Sequence, residues 1–216
     1  MNKRFLLFCL AILILAFGIS AGFSQTRYFV GGGVQSAFPM KNLDSRFMPT
    51  TFPTIRFGWK DTEKGKTLFE FAPMTFSKIN TEKMYYDSVD QYLKIQSAAA
   101  GYQQTIFTVF KKIDVAVTGA VTLNKWLYRR EPFYCRDTNA SIIDTLLEFK
   151  QSDWSWGAKA GAVVTFSPVS WIHLGVSAQF HLIIAELWPA MAVRMENVSG
   201  LKLSEVCAFI EFSREF

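Results

Sequence analysis

Two histidines are the residues best suited to chemistry in this chain. His173 and His181 fall in "WIHLGVSAQFHL", where apolar and polar residues alternate. They stand eight positions apart, roughly 26 Å along an extended strand at about 3.3 Å per residue, so they cannot share a metal ion. His181, Glu186 and a loop serine could instead form a hydroxyl–imidazole–carboxylate set, the arrangement that activates an oxygen nucleophile for hydrolysis. No phosphate-binding glycine loop, dinucleotide fingerprint, Cys-x-x-Cys pair or His-Glu-x-x-His motif accompanies them. Catalytic, cofactor-binding and metal residues are therefore left unassigned, and no cofactor is expected. Asn139 and Asn197 open Asn-x-Ser sequons, which matter only in a eukaryotic secretory pathway.

The elements that would position such residues begin after a leader. Lys3 and Arg4 precede an apolar stretch from Leu6 to Phe17, followed by Ser20, Ala21, Gly22 and Ser24. This is the three-part pattern of a secretory signal peptide. Residues 1–24 are expected to be removed after Gly22 or Ser24, leaving one domain over 25–216; an uncleaved anchor is the alternative. Cys9 lies before the small-residue site and is poorly placed for lipid attachment. Losing the two charges of Lys3 and Arg4 takes the formal net charge from +5 to +3. No run of Lys and Arg exceeds two residues, so nucleic acid is not an expected partner. Cys135 and Cys207 remain, as one bridge or two free thiols.

Half of the chain is hydrophobic, with 21 Phe and 6 Trp, and that apolar content needs a large core or lipid. After the leader no 18-residue apolar run occurs; "LIIAELWPAMAV" is broken by Glu186 and Pro189. A membrane location would therefore require a closed β-barrel, the other architecture that satisfies every backbone group in hydrocarbon.

The period is two through most of the chain. Ile172, Leu174, Val176, Ala178, Phe180 and Leu182 oppose His173, Gly175, Ser177, Gln179 and His181. "IDVAVTGAVTLN" and "WSWGAKAGAVVTF" alternate likewise. Strands are expected near 27–37, 51–60, 67–77, 92–105, 112–125, 153–166, 170–183 and 201–216. Several exceed the usual five or six residues and match the roughly 9–11 that a tilted membrane strand needs. Connections alternate between long (38–50, 78–91, 126–152, 184–200) and short (61–66, 106–111, 167–170). Short periplasmic turns and long external loops are the pattern of an outer-membrane barrel. Strand one, with "VGGGVQ", and strand four, where Leu93, Ile95, Ser97 and Ala99 face away from Lys94, Gln96, Ala98 and Ala100, are weakly patterned.

Aromatics sort to strand ends. Trp59, Phe166, Trp171 and Phe216 fall at the periplasmic side; Trp126, Tyr128, Trp154 and Trp156 fall at the outer side. Trp59, Trp154, Trp156 and Trp171 are assigned to interfacial girdles. Trp126 is out of phase and needs a bulge or a place in the loop. The polar faces would carry Arg56, Glu70, Lys94, Asp114, Lys159, His173, His181 and Glu211 into the lumen as an ion-pair network. Arg56 and Glu70 flank one tight turn and face each other or sit diagonally. A small eight-stranded barrel is filled by its own side chains.

"EFAPMTFSK", "QYLKIQSAAAGY", "KKIDVAVTGAVTLNKWL", "SDWSWGAKAGAVVTF" and "HLGVSAQF" resemble the small PorT-like outer-membrane β-barrel proteins over most of 27–216. The terminal "FIEFSREF" resembles the C-terminal strand signal read by the barrel assembly machinery, with Phe212 and Phe216 as its aromatic positions. Arg214 departs from the usual apolar residue there, although an arginine can snorkel to the interface. The resemblance implies location and fold and supplies no catalytic residues.

The expected molecule is an all-β, eight-stranded, antiparallel up-and-down transmembrane β-barrel preceded by a signal peptide, in the bacterial outer membrane. Its expected role is non-enzymatic: structure, surface interaction or export assembly. Expected partners are outer-membrane lipid, the assembly machinery and a surface or envelope protein meeting loop 126–152, which holds Arg129, Arg130, Tyr134, Cys135 and Arg136. An outer-leaflet lipid-modifying enzyme, a small pore and a secreted lipocalin-like barrel are the rival readings. Deleting Phe216 should reduce membrane assembly more than Arg214→Phe does, measured as protein in the outer-membrane fraction; normal levels of the truncated chain would contradict this.

Overall fold

The computed structural model describes residues 27–62, 64–83, 89–136, 142–189 and 196–215. The leader (1–24) and Phe216 lie outside these residues. Among the described residues ten strands follow in chain order: β1 (Arg27–Pro39), β2 (Thr50–Lys60), β3 (Gly65–Phe76), β4 (Gln91–Val109), β5 (Ile113–Arg130), β6 (Phe133–Arg136), β7 (Ile142–Leu146), β8 (Phe149–Val169), β9 (Ile172–Leu187) and β10 (Val198–Glu215). Eight of them close a barrel in the order β1-β10-β9-β8-β5-β4-β3-β2. Every neighbouring pair is antiparallel, and β6 and β7 form a separate hairpin.

Closure falls to β1 and β10, paired in continuous register from Arg27 opposite Glu215 to Pro39 opposite Leu203. The glycines of β1 have a specific use. A Cβ on Gly31 would stand 2.3 Å from the Ile210 carbonyl oxygen and 2.8 Å from Glu211 Cγ. The bare backbone lets Glu211 lean across β1 toward β2.

The wall is uneven. β4, β5 and β8 run 19, 18 and 21 residues, against 11 to 13 for β1, β2 and β3. The expected loop 126–152 is thus largely strand: β5 continues to Arg130, β8 begins at Phe149, and β6–β7 stands between them. β5 and β8 pair without a break from Ile113 opposite Phe166 to Arg130 opposite Phe149. No bulge forms at Trp126; that residue stays in phase and points inward, buried.

The reason is a reversal of polarity along the strands. In the lower part of β5, Thr118, Thr122 and Asn124 are buried inside while Val117 and Val121 are exposed outside. Above Asn124 the buried inward residues are Trp126, Tyr128 and, at the strand's end, Arg130, and Lys125 and Arg129 lie on the outer face. β4 does the same: Leu93 and Ile95 are fully buried inside, with Lys94 and Gln96 exposed outside. In β10, Leu201 and Leu203 are buried above Glu205 and Glu211. The expected inward position of Lys94 is therefore corrected: it points outward, its ammonium over the Tyr92 ring at 5.1 Å. The weak contrast of strand four is this reversal seen in sequence.

At the opposite end a tight turn joins β4 to β5. Phe110 and Lys111 both have positive φ, 52° and 56°, and Lys112 N–H donates to the Val109 carbonyl at 3.2 Å. Two left-handed central residues twist with the flanking strands, although Asn-Gly suits such a turn better.

Candidate functional site

The lumen holds a chain of opposite charges. From the short-turn end, Lys66 Nζ lies 2.7 Å from Glu211 Oε2, and Glu211 Oε1 lies 3.4 Å from Arg56 Nη1. Arg56 Nε is 3.7 Å from Glu70 Oε2, and the directly opposed positions of Arg56 and Glu70 on β2 and β3 set that contact. Lys159 Nζ from β8 then bridges Glu70 Oε1 at 2.8 Å and Glu205 Oε2 at 2.9 Å. Gln35 Nε2 donates to the same Glu205 oxygen at 2.6 Å. Arg56, Glu70, Lys159, Glu205 and Glu211 are all buried.

Three cations alternate with three carboxylates, so the column is neutral with no charge left alone. That matters because a buried ion costs several kcal/mol unless it is paired. Arg56 also lies 4.0 Å above the Phe209 ring centroid. Phe209 fits only because position 175 is glycine; a Cβ there would meet the ring at 2.2 Å.

His181 is fully buried at the upper end. Its Nδ1 is 2.8 Å from Glu205 Oε1 and its Nε2 is 3.1 Å from Thr122 Oγ1. This is a hydroxyl–imidazole–carboxylate geometry, made with Thr122 and Glu205 in place of the expected Glu186 and loop serine. Glu186 instead accepts from Asn197 Nδ2 at 2.8 Å. Thr122 is 1% exposed, and Gly157 packs over it so closely that a Cβ would stand 2.5 Å from its hydroxyl. All three groups of this set are buried, and Glu205 is held between His181 and Lys159.

Above this column the interior is apolar. Phe52, Met74, Phe76, Leu93, Ile95, Trp126, Tyr128, Ile183, Leu187, Leu201 and Leu203 form one buried cluster. The β1–β2 loop folds into it as a lid: Leu43, the last residue of the 3-10 turn Lys41–Leu43, and Phe47 are fully buried. Arg46 fastens the lid, donating from Nη2 to the carbonyls of Trp188 (3.2 Å) and Glu196 (2.5 Å), with its guanidinium 5.5 Å above the Tyr128 ring. Burial pushes the Arg46 pKa below its ordinary value. Asn80 Nδ2 donates to Asp44 O at 2.7 Å, and Met48 N–H to Lys78 O at 2.8 Å, tying the lid to the β3–β4 loop.

Asp114 and His173 are not in the column. They line a basin at the short-turn end, where Thr108 Oγ1 donates to Asp114 Oδ1 at 2.6 Å and His173 sits between the hydroxyls of Ser167 (2.7 Å) and Ser213 (3.0 Å). Outside, Trp154 and Trp156 are 44% and 61% exposed on the upper wall. Trp171 stacks on Phe212 at 6.3 Å, and Trp59 packs on Phe69 at 5.8 Å, both near the short turns. Lys125 Nζ lies 5.4 Å from the Trp154 ring, at the level where outward residues change from apolar to charged.

Sequence reasoning passed over Lys66, Glu205, Gln35 and Thr122. Glu205 and Lys66 were legible, since both fall on polar faces, in step with Glu211 and Glu70. Thr122 and Gln35 carry no such signal; they matter through cross-strand geometry. Cys207 is a free thiol, buried in the lumen; the Cys135 side chain lies outside the described residues. Among the described residues no cluster could hold a metal ion.

Among solved structures, Ail, the attachment invasion locus protein of Yersinia pestis, in complex with the heparin analogue sucrose octasulfate, is similar with a TM-score of 0.51 at 11% identity, over 88% of this chain and 100% of that one. The fold is that of the eight-stranded outer-membrane β-barrels. Neisserial surface protein A (TM-score 0.49, 14% identity, 86% and 96% covered) and the outer membrane protein AlkL (0.45, 12%, 91% and 94%) give weaker matches. No family model matches this barrel, and no curated protein matches it.

In an outer-membrane barrel the charge column also fixes register. A one-residue slip would turn Arg56, Lys159 and their carboxylates toward lipid, where Arg or Lys costs about 2–4 kcal/mol near the midplane. Lys159→Met should destabilise the barrel by about 3–5 kcal/mol, since it strips one cation from two buried carboxylates. In a double-mutant cycle with Glu70→Gln, the pair should lose at least about 0.5 kcal/mol less than the sum of the single losses. Urea unfolding in lipid vesicles measures both; additive losses would contradict the network.

Proposed function

We propose that this chain is a non-enzymatic integral protein of the bacterial outer membrane, exported through its N-terminal leader, inserted by the barrel assembly machinery, and acting through its outer surface. The observation that carries this reading is the filled interior. Ion pairs occupy the lower lumen, an apolar core the upper lumen, and Leu43 and Phe47 close the top. A barrel without a passage works as structure, as a surface-interaction protein or as a subunit of an export assembly. The tall side made by β4, β5 and β8, with the β6–β7 hairpin, is the surface for such a partner. The PorT-like segments fit that reading. The attachment role in Ail's name is one example of a surface function on this fold.

The buried Thr122–His181–Glu205 set is the observation that favours an enzyme, and its enclosure counts against one. A pore would need the lid and the core beneath it to leave together.

Planar bilayers containing the purified barrel should show no single-channel steps, and His181→Ala should leave outer-membrane lipid composition unchanged. Replacing residues 131–148 with a short Gly-Ser turn should leave a barrel in the membrane fraction that resists SDS until boiled. Channel steps from the native protein would favour the pore, and altered lipid in an assembled His181→Ala barrel would favour the enzyme.

A further inference from the structure

The short-turn mouth of the barrel is a built basin. All eight barrel strands contribute to it, and its volume is about 610 Å³ including the open solvent at its entrance. Lys66, Glu211 and Phe29 close its inner end, and Lys66 Nζ sits 4.6 Å over the Phe29 ring.

Its two sides differ in chemistry. On β1, β2 and β3 the inward positions at the mouth are Arg27, Lys60 and Lys66: Arg27 lies opposite Lys60 on one side and Glu215 on the other, and Lys60 lies opposite Lys66. Like charges so opposed destabilise a sheet. Lys64 joins them from the β2–β3 turn, held by its own carbonyl accepting from Thr105 N–H at 2.7 Å. Lys66 is satisfied by Glu211. Among the described residues, neither Lys60 nor Lys64 has an ion-pair partner, and both are exposed to the basin's entrance. Beside them on β4 stand Gln103, directly opposite Lys66, and Thr105, with Asp114 and Thr165 farther round the wall on β5 and β8. Gln103 Oε1 and Thr165 Oγ1 are buried without any hydrogen-bond partner among the described residues, their side chains 4% and 6% exposed. Both residues line the basin, so either atom can accept a hydrogen bond from a ligand or an ordered water there.

We infer that this basin binds the carboxylate end of an acidic peptide entering from the short-turn side. The carboxylates would lie against Lys60, which stands opposite Lys66, and against Lys64 in the turn. The N–H groups of the same peptide would meet the acceptors Gln103 Oε1 and Asp114. A free phosphate supplies only the first half of this match, because it would present oxygens to the acceptor side as well. Charge-assisted contacts to lysine make the carboxylate the stronger anchor.

The test uses the full mature chain folded in detergent micelles and a fluorescein-labelled peptide, Gly-Ser-Asp-Glu-Asp with a free C-terminus. Anisotropy should rise on titration with the barrel. Lys60→Gln/Lys64→Gln should weaken binding at least tenfold. Lys41→Gln/Lys202→Gln, which removes the same charge at the other end, should change it less than twofold. The amidated peptide Gly-Ser-Asn-Gln-Asn should not bind, and inorganic phosphate should compete only weakly. Equal loss in both double variants, or equal binding of the neutral peptide, would overturn the proposal. Phosphate binding as tightly as the peptide would overturn it in favour of a simple anion site.

Discussion

A chain within hydrocarbon has no water to satisfy its amide and carbonyl groups, and the structure depends on meeting that constraint. β1 must find β10, and the two pair along their common length. Closure creates an inside, and the inside then dictates which side chains the strands carry. The glycines that make β1 look weak are the means of closure: Gly31 removes the side chain that would separate Glu211 from Arg56. The pairing of first and last strand and the charge column are therefore one feature. Neither forms in the wrong register without driving ions outward.

A second consequence is the polarity reversal. Within the membrane the outer face must be apolar, so the charged and hydroxyl residues go inside and pair. Above it the outer face meets water, so apolar residues move inside and form an ordinary core. Lys125 and Trp126 are adjacent in sequence and mark the change on β5; Glu205 and Leu203 mark it on β10. The upper barrel is a soluble-type core mounted on a membrane-type base. That core supports a lid with Leu43 and Phe47 inserted, and a tall β4–β5–β8 wall.

Strand alternation in β5, β8, β9 and β10 made the barrel legible, because one face is plainly apolar and the period is two. Arg56 opposite Glu70 was legible from the tight turn between them. Lys94 was misjudged because a single rule, polar residues inward, was extended past the membrane boundary where it inverts. Trp126 failed for the same reason: it was expected out of phase because an inward tryptophan broke the polar-inside rule, and it is in phase on the buried inner face. The β6–β7 hairpin and the outward growth of β5 and β8 were hidden in a segment of mixed composition. The Thr122–His181–Glu205 contact joins three strands, and no spacing within one strand reports it.

The most direct measurement is fluorescence quenching by brominated lipid tails in vesicles, using variants that retain a single tryptophan. If the outer face of the barrel meets lipid and the upper interior is sealed, Trp156 is quenched several-fold more than Trp126. Equal quenching of the two, or stronger quenching of Trp126, would show that the faces are assigned the wrong way round and would contradict the account.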